Sequence, residues 1–227
     1  MKVVILAAGF GMRLENSIPK TLTKIHNKTI LEKQIENITK YIDINDILIV
    51  IGFKKEMIME AFPELLFVYN NNFHSTNTAK SLLLALNKIK NEDVLWLNAD
   101  IVFDDEIILD ILNLNANCMA TNVSAVAQEE VKYILDKNGY IAQVSKNLEN
   151  AKGEALGINF IKAQHLELFK NCLKECTNKD YFEEGINKLI QKDVKISALD
   201  IGKKRCIEID FLEDLNLAKA LFSDKEA

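Results

Sequence analysis

Two prolines and eight glycines among 227 residues leave little material for long flexible linkers. No run reaches the ~18 apolar residues that a helix needs to cross a bilayer. The apolar opening Val3-Val4-Ile5-Leu6-Ala7-Ala8 is short, carries one flanking Lys and runs straight into glycines. It therefore reads as a buried strand rather than a secretory leader. An excess of basic residues is also missing: 28 Lys and Arg face 33 Asp and Glu, a formal charge of -5. General nucleic-acid binders carry a basic face, so this balance argues against a nucleic-acid partner, and an anionic ligand must be steered by local cations. A cytoplasmic protein without a membrane partner is the expectation. Its four cysteines, Cys118, Cys172, Cys176 and Cys206, are then expected to be reduced. Cys172 and Cys176 stand one helical turn apart with no second ligand pair near them, which favours buried thiols over a zinc site.

What is present is ordinary for a soluble globular chain, with 48% apolar and 27% charged residues. The length suits one α/β domain with a real core and a small insertion. Strand-like runs alternate with helical spacing. Residues 2–7, 46–51, 65–69 and 93–97 read as strands; 29–41 and 78–90 read as helices, the first with Ile30, Leu31, Ile35 and Ile38 on one face. This order predicts a mostly parallel, doubly wound, Rossmann-like sheet with helices on both faces and a ligand site beyond the carboxyl ends of its strands. Residues 118–161 differ, with Asn138-Gly139 marking a hairpin between 133–136 and 140–144 in a small β-rich insertion. Helical spacing returns at 163–176 and 180–191. Short strands at 194–199 and 205–209 and a helix from Phe211 close the chain.

The segment Leu6-Ala7-Ala8-Gly9-Phe10-Gly11-Met12-Arg13-Leu14, followed by Pro19-Lys20, is the most informative. Glycines after a strand let backbone N–H groups approach phosphates, and Arg13 and Lys20 add cations that can neutralise a triphosphate. A dinucleotide fingerprint would need glycine where Leu14 stands, and no Walker-type Gly-Lys-Ser/Thr string occurs. Taken alone, a glycine pair equally fits a tight turn beside an unrelated arginine.

Ala-Ala-Gly-x-Gly-x-Arg-Leu with a following Pro-Lys resembles the signature of the NTP-transferase family, which makes activated sugars and activated alcohol phosphates. The resemblance covers residue 1 to about residue 222 and is specific at 6–20, 98–100 and 206–214. It implies that Leu6, Ala7, Ala8, Gly9, Phe10 and Gly11 form the nucleotide loop. Arg13 would hold the triphosphate, and Lys20 would stabilise the transferring phosphate.

Asp100 closes the fourth strand, and Asp210 follows a later one in Glu208-Ile209-Asp210. Two separated carboxylates suit Mg²⁺, which keeps waters and phosphate oxygens in its shell. Asp100 alone could be a solvated strand end, and Asp210 a helix N-cap. The resemblance implies that both bind Mg²⁺ and that Asp100 also touches the nucleotide. Asn98 stands where relatives carry a further acid and is not expected to be a ligand. Asp104, Asp105, Glu106 and Asp214 read as helix N-terminal charges.

The polar stretch from Asn70 to Leu82 can read a base edge with amides and hydroxyls. It looks like the Asn-x-x-x-Ser-Leu stretch of phosphocholine and phosphonate cytidylyltransferases, which implies cytosine-side roles for Asn77, Thr78 and Ser81; plain helix capping is the alternative. His74 reads as a surface loop residue. Lys146 and the Gly153-Glu154-Ala155-Leu156-Gly157 element resemble the acceptor side of relatives. Lys146 would then hold an acceptor phosphate and Glu154 a polar or cationic part, with surface charge as the alternative for each. Phe182 and Glu183 would add a further acceptor wall. Trp96, the one tryptophan, lies in a core strand, and Ile161 and Phe182 stand where phosphocholine enzymes would carry tryptophans, so choline is not favoured.

The whole chain, 1–227, is expected to be one nucleotidyltransferase domain, with 1–117 and 194–222 as its nucleotide and metal part and about 118–193 as its acceptor-binding part. The implied reaction is in-line attack by a phosphate or phosphonate oxygen of a small acceptor on the α-phosphorus of a nucleoside triphosphate, CTP being favoured, with release of pyrophosphate. The short chain and the Asn77…Ser81 pattern favour CTP. A sugar-1-phosphate nucleotidyltransferase using UTP, dTTP or GTP is the alternative within the family, and a non-catalytic nucleotide-binding domain the alternative outside it. A monomer or homodimer serving cell-surface glycan or lipid synthesis is a family-level expectation.

Overall fold

The computed structural model describes residues 1–10, 18–123 and 130–223. Gly11 and Arg13, both expected in the nucleotide loop, lie outside the described residues. The chain begins with β1 (Lys2–Ala7), a 3-10 turn at Lys20–Leu22, the small hairpin β2 (Lys24–Ile25) and β3 (Lys28–Thr29), then α1 (Ile30–Thr39). It continues through β4 (Ile47–Ile51), α2 (Lys55–Ala61), β5 (Leu66–Tyr69), α3 (Thr78–Leu86), β6 (Val94–Asn98), β7 (Ile101–Phe103) and α4 (Glu106–Leu114). Next come β8 (Cys118–Asn122), β9 (Lys132–Leu135), β10 (Ile141–Ser145) and β11 (Gly153–Ile161). The chain closes with α5 (Ala163–Glu175), α6 (Phe182–Ile190), β12 (Ser197–Asp200), β13 (Cys206–Glu208) and α7 (Leu212–Leu221).

Among the described residues, nine strands form one sheet with β1 near its centre. β1 pairs in parallel with β4 and β6, and β4 in parallel with β5. The polarity changes beyond β6, where β11 runs antiparallel to β6 and β8, while β12 is parallel to β8. The predicted Asn138-Gly139 hairpin forms as β9 and β10, and it extends the sheet beside the first residues of β11. The strands of 118–161 thus prolong the central sheet. This is the α/β architecture that the alternating pattern predicts.

β1 is apolar from Val3 to Ala7 because both faces of a central parallel strand are covered. Val3, Ile5 and Ala7 point to the core shared with α1, α2 and α4, whereas Val4, Leu6 and Ala8 point to the core shared with α3, α5 and α6. α1 buries the predicted Ile30, Leu31, Ile35 and Ile38. Its start is set by a reciprocal cap: Thr29 Oγ1 accepts from Glu32 N at 3.1 Å, and the Glu32 carboxylate accepts from Thr29 N. Such a cap is worth about 1 kcal/mol.

One predicted boundary differs. Helical spacing reaches Lys90, but α3 ends at Leu86, and the N–H groups of Lys88 and Ile89 bond three residues back in a turn. Asp104 and Asp105 stand at the start of α4, where they are read as helix N-terminal charges, and also hold side chains: Asp104 pairs with Arg205 at 2.6 Å, and Asp105 with Lys40 at 2.6 Å and the Tyr41 hydroxyl at 2.7 Å. All four cysteines are free, and Cys118, Cys172 and Cys176 are buried. Among the described residues, no helix is long and apolar enough to cross a membrane.

Candidate active site

A cavity of about 610 Å³ opens at the carboxyl ends of β1 and β6. Leu6, Ala7, Gly9 and Phe10 form one wall, Asn98, Ala99 and Asp100 another, and Tyr181, Phe182 and Glu183 from the start of α6 a third. Lys20, Glu208 and Asp210 also border this space, as does Thr78.

Three segments far apart in sequence converge on the acidic corner. β7 and β13 pair antiparallel with Glu208 opposite Ile101, and Ile209 N donates to Asp100 O at 2.9 Å. That ladder sets Asp210 beside Asp100. The Asp214 carboxylate takes the backbone N–H groups of Asp210 and Phe211 at 2.9 and 2.7 Å, performing the predicted helix N-terminal task. Opposite, Pro19 is buried and starts the 3-10 turn that carries Lys20.

Lys20 Nζ donates to Asp100 Oδ2 at 2.8 Å and also bonds Asp210. Burial alone would lower the Lys20 ammonium; the charge and hydrogen bond of Asp100, then those of Asp210, outweigh it and hold the group above its ordinary value. Carboxylate oxygens of Asp100, Glu208 and Asp210 lie within 4.8 Å of one another. Asp100 Oδ1 is buried and accepts no hydrogen bond from the described residues. Among the described residues, three carboxylates face one ammonium, and the buried Asp100 oxygen has no donor. This donor set fits a hard divalent cation such as Mg²⁺. The Glu208 carboxyl is pushed up to about 8, by dehydration first, then by the charges of Asp100 and Asp210, with Lys20 opposing. Glu208 as a residue is open to solvent, so crowding of like charge carries more of this rise than dehydration does.

Glu208 is the member of this corner to which no role is assigned from the sequence. Its signal was the i, i+2 spacing to Asp210, which puts both side chains on one side of an extended segment. Asn98 also borders the cavity; a Cβ on Gly157, which has φ +73°, would meet its Nδ2 at 2.8 Å. β11 can therefore pass close to Asn98 only with glycine there.

The remaining predicted residues fall into separate places. Ala8 is buried, and its carbonyl accepts from Phe53 N at 3.2 Å. Asn77 caps α3 by accepting from Thr78 N at 2.9 Å, and buried Ser81 Oγ accepts from Asn70 Nδ2 at 3.0 Å. Neither Asn77 nor Ser81 borders the cavity, whereas Thr78 does, and its hydroxyl accepts from Phe182 N at 3.0 Å. Phe182 packs edge-on to Trp96 with 5.9 Å between ring centres. Lys146 is exposed and lies 5.9 Å from the Tyr181 ring centre, outside the cavity lining. Glu154 also lies outside that lining; it accepts from Asn122 Nδ2 at 3.3 Å, and its carboxyl is raised by burial and then by Glu130. His74 is exposed, edge-on to Phe73.

Residues 3–179 match the MobA-like NTP transferase domain. The chain belongs to this family. It is 34% identical over 218 residues to the bifunctional protein GlmU of Methanococcus maripaludis, a match covering 92% of this chain and 50% of that one. The chain thus spans about half the length of the curated GlmU relatives it matches. It is 25% identical over 271 residues to a CTP:phosphoglutamine cytidylyltransferase of Campylobacter jejuni, covering 96% of this chain and 98% of the other. The solved structure of the CTP:phosphocholine cytidylyltransferase of Streptococcus pneumoniae superposes with a TM-score of 0.78 at 20% identity, over 97% of this chain and 98% of that one. At that identity the likeness is one of fold. Within this NTP transferase fold, the Lys20–Asp100–Asp210 corner and the start of α6 face the same cavity.

Proposed function

We propose that this NTP transferase moves the CMP part of CTP to a small phosphate- or phosphonate-bearing acceptor and releases pyrophosphate. The observation that carries this reading is the corner where Lys20 bridges Asp100 and Asp210 beside Glu208, at the carboxyl ends of β1 and β6. The C. jejuni likeness, at nearly full length, supports CTP as the donor.

Asp100 and Asp210, with Glu208 beside them, would hold Mg²⁺; bound there, it would neutralise phosphate oxygens and fix their orientation. Lys20 brings an ammonium to the floor of the cleft, where charge grows on the transferring phosphate. Arg13, from the glycine loop, takes the leaving pyrophosphate. Leu6, Ala7, Gly9 and Phe10 border the nucleotide, with Thr78 on the base side and Asn77 and Ser81 shaping the helix start behind it. Phe182 and Glu183 supply the acceptor wall of the cavity, and Lys146 and Glu154 stand outside that lining in the same part of the domain, about 118–193. An acceptor phosphate is already ionised at neutral pH, so catalysis needs positioning and charge neutralisation and no general base.

Pyrophosphate release tests this directly. Each nucleoside triphosphate is offered with a panel of phosphorylated alcohols, aminoalkyl phosphonates and sugar 1-phosphates, with Mg²⁺ and then with EDTA. CTP-dependent, EDTA-sensitive release with one acceptor class is expected. Release only with UTP, dTTP or GTP would move the reading to a sugar-1-phosphate nucleotidyltransferase. CTP binding with no release from any pair would favour a non-catalytic domain.

A further inference from the structure

Glu183 lies in the first turn of α6 and borders the same cavity as Lys20, Asp100 and Asp210. Its Oε2 is buried and accepts no hydrogen bond from any described residue. A buried carboxylate oxygen with no donor is a costly arrangement that native structures rarely keep without a use. Burial pushes the Glu183 carboxyl up to about 7, its own backbone N–H and the charge of Lys146 acting the other way. Lys146 stands beside the Tyr181 ring, 5.9 Å from its centre. A favourable place at the α6 N-terminus does not account for the residue, because the helix dipole leaves Oε2 without a donor. Glu184, in the same turn, already provides such a charge and pairs with Lys188 at 3.6 Å.

We infer that the acceptor carries a primary ammonium group and that Glu183 is the specificity residue that receives it. This rests on the reading of the cleft as a nucleotidyl-transfer site. A primary ammonium supplies both things that Glu183 lacks, an N–H donor and a compensating charge. A hydroxyl in the same place would donate a hydrogen bond but bring no charge to favour the ionised carboxylate over its protonated form. A trimethylammonium would bring charge without any N–H, and it binds best between open aromatic faces. This wall offers few of those. Phe182 is 1% exposed and turned edge-on to Trp96, itself 2% exposed, so Tyr181 is the open ring. The acceptor is therefore bipartite: its phosphate or phosphonate points to the Lys20 corner and its ammonium to Glu183.

Three acceptors on one ethyl phosphate skeleton separate the possibilities: 2-aminoethyl phosphate, its 2-hydroxyethyl isostere, and the bulkier trimethylammonium analogue. Each is measured by calorimetric binding to the CTP-loaded protein and by pyrophosphate release, for wild type and Glu183→Gln. Wild type is expected to prefer the amine over both analogues by at least about tenfold. Glu183→Gln, which keeps the shape and removes the charge, is expected to bring the ratio over the hydroxyl isostere close to one. Equal use of amine and hydroxyl, preference for the trimethyl compound, or an unchanged ratio in Glu183→Gln overturns the inference and leaves the proposed function standing. Binding with the expected preference but no pyrophosphate release counts against the proposed function alone. No measurable binding of the amine overturns the inference as well.

Discussion

Lys20 Nζ lies 2.8 Å from Asp100 Oδ2, although 80 positions separate them in the chain, and the same ammonium reaches Asp210. Among the described residues, Lys20 is the cation that bridges these two carboxylates, and a divalent ion bound by them would share that task. Lys20→Ala removes the ammonium that Asp100 and Asp210 share beside Glu208. Mg²⁺ should therefore raise the melting temperature of Lys20→Ala more than that of wild type, relative to EDTA. Equal shifts would show that the ion and Lys20 do not share these ligands. Turnover of the variant should fall by roughly 10²–10³, while CTP affinity changes far less.

Glu183 gives a pH prediction with a defined sign. Its carboxyl is raised from the ordinary 4.5 to about 7 by burial. The protonated form is the one favoured in the folded chain. Its stabilising contribution is fully present below pH 4.5 and is lost as pH rises through about 7. Glu183→Gln removes this dependence. Thermal melts of the ligand-free proteins should show the variant gaining on wild type between pH 5 and pH 8; a constant difference over that window would contradict the shift.

Gly52 follows β4, and a Cβ there would lie 2.5 Å from the Ala8 carbonyl oxygen and 2.7 Å from Phe73 Cβ. The Ala8 carbonyl belongs to the segment that leads into the glycine loop and is held by Phe53 N. Gly52→Ala should cost about 1–3 kcal/mol by overpacking and weaken CTP binding through displacement of that segment. Chemical denaturation and CTP titration check both; a stable variant with normal CTP affinity would show that the contact yields easily.

Ser81 tests the base-reading assignment. Its hydroxyl accepts from Asn70 in the interior, at 5% exposure. Ser81→Ala should lower stability by about 1 kcal/mol by removing one of the two hydrogen bonds that Asn70 Nδ2 donates, the other going to Thr76 Oγ1 at 3.0 Å, with CTP preference unchanged. A change in nucleotide preference without loss of stability would instead put Ser81 at the base.

Much of this arrangement was legible in the residues. The apolar runs of β1, β4 and β6 and the i, i+3, i+4 spacing of α1 state their own structure, because burial on two faces or one leaves a periodic mark. Asp100 and Asp210 were legible as strand-end carboxylates. Glu208 was not, because a charged residue at the end of a short strand reads as a solvated edge. Its role depends on the β7–β13 ladder, a pairing between segments about a hundred residues apart. Asn77 and Ser81 illustrate the reverse case. A polar cluster at a helix start carries the same letters whether it caps the helix or reads a base, and only burial and partners distinguish the two.

The central claim is nucleotidyl transfer at the Asp100–Asp210 corner. The most direct test is pyrophosphate release from CTP and a phosphorylated acceptor by wild type, Asp100→Ala and Asp210→Ala, with the fold of each checked by circular dichroism. Both variants are predicted to keep a native spectrum and to lose at least about 10² in rate. A near wild-type rate in either well-folded variant would contradict the assignment of that carboxylate to the reaction.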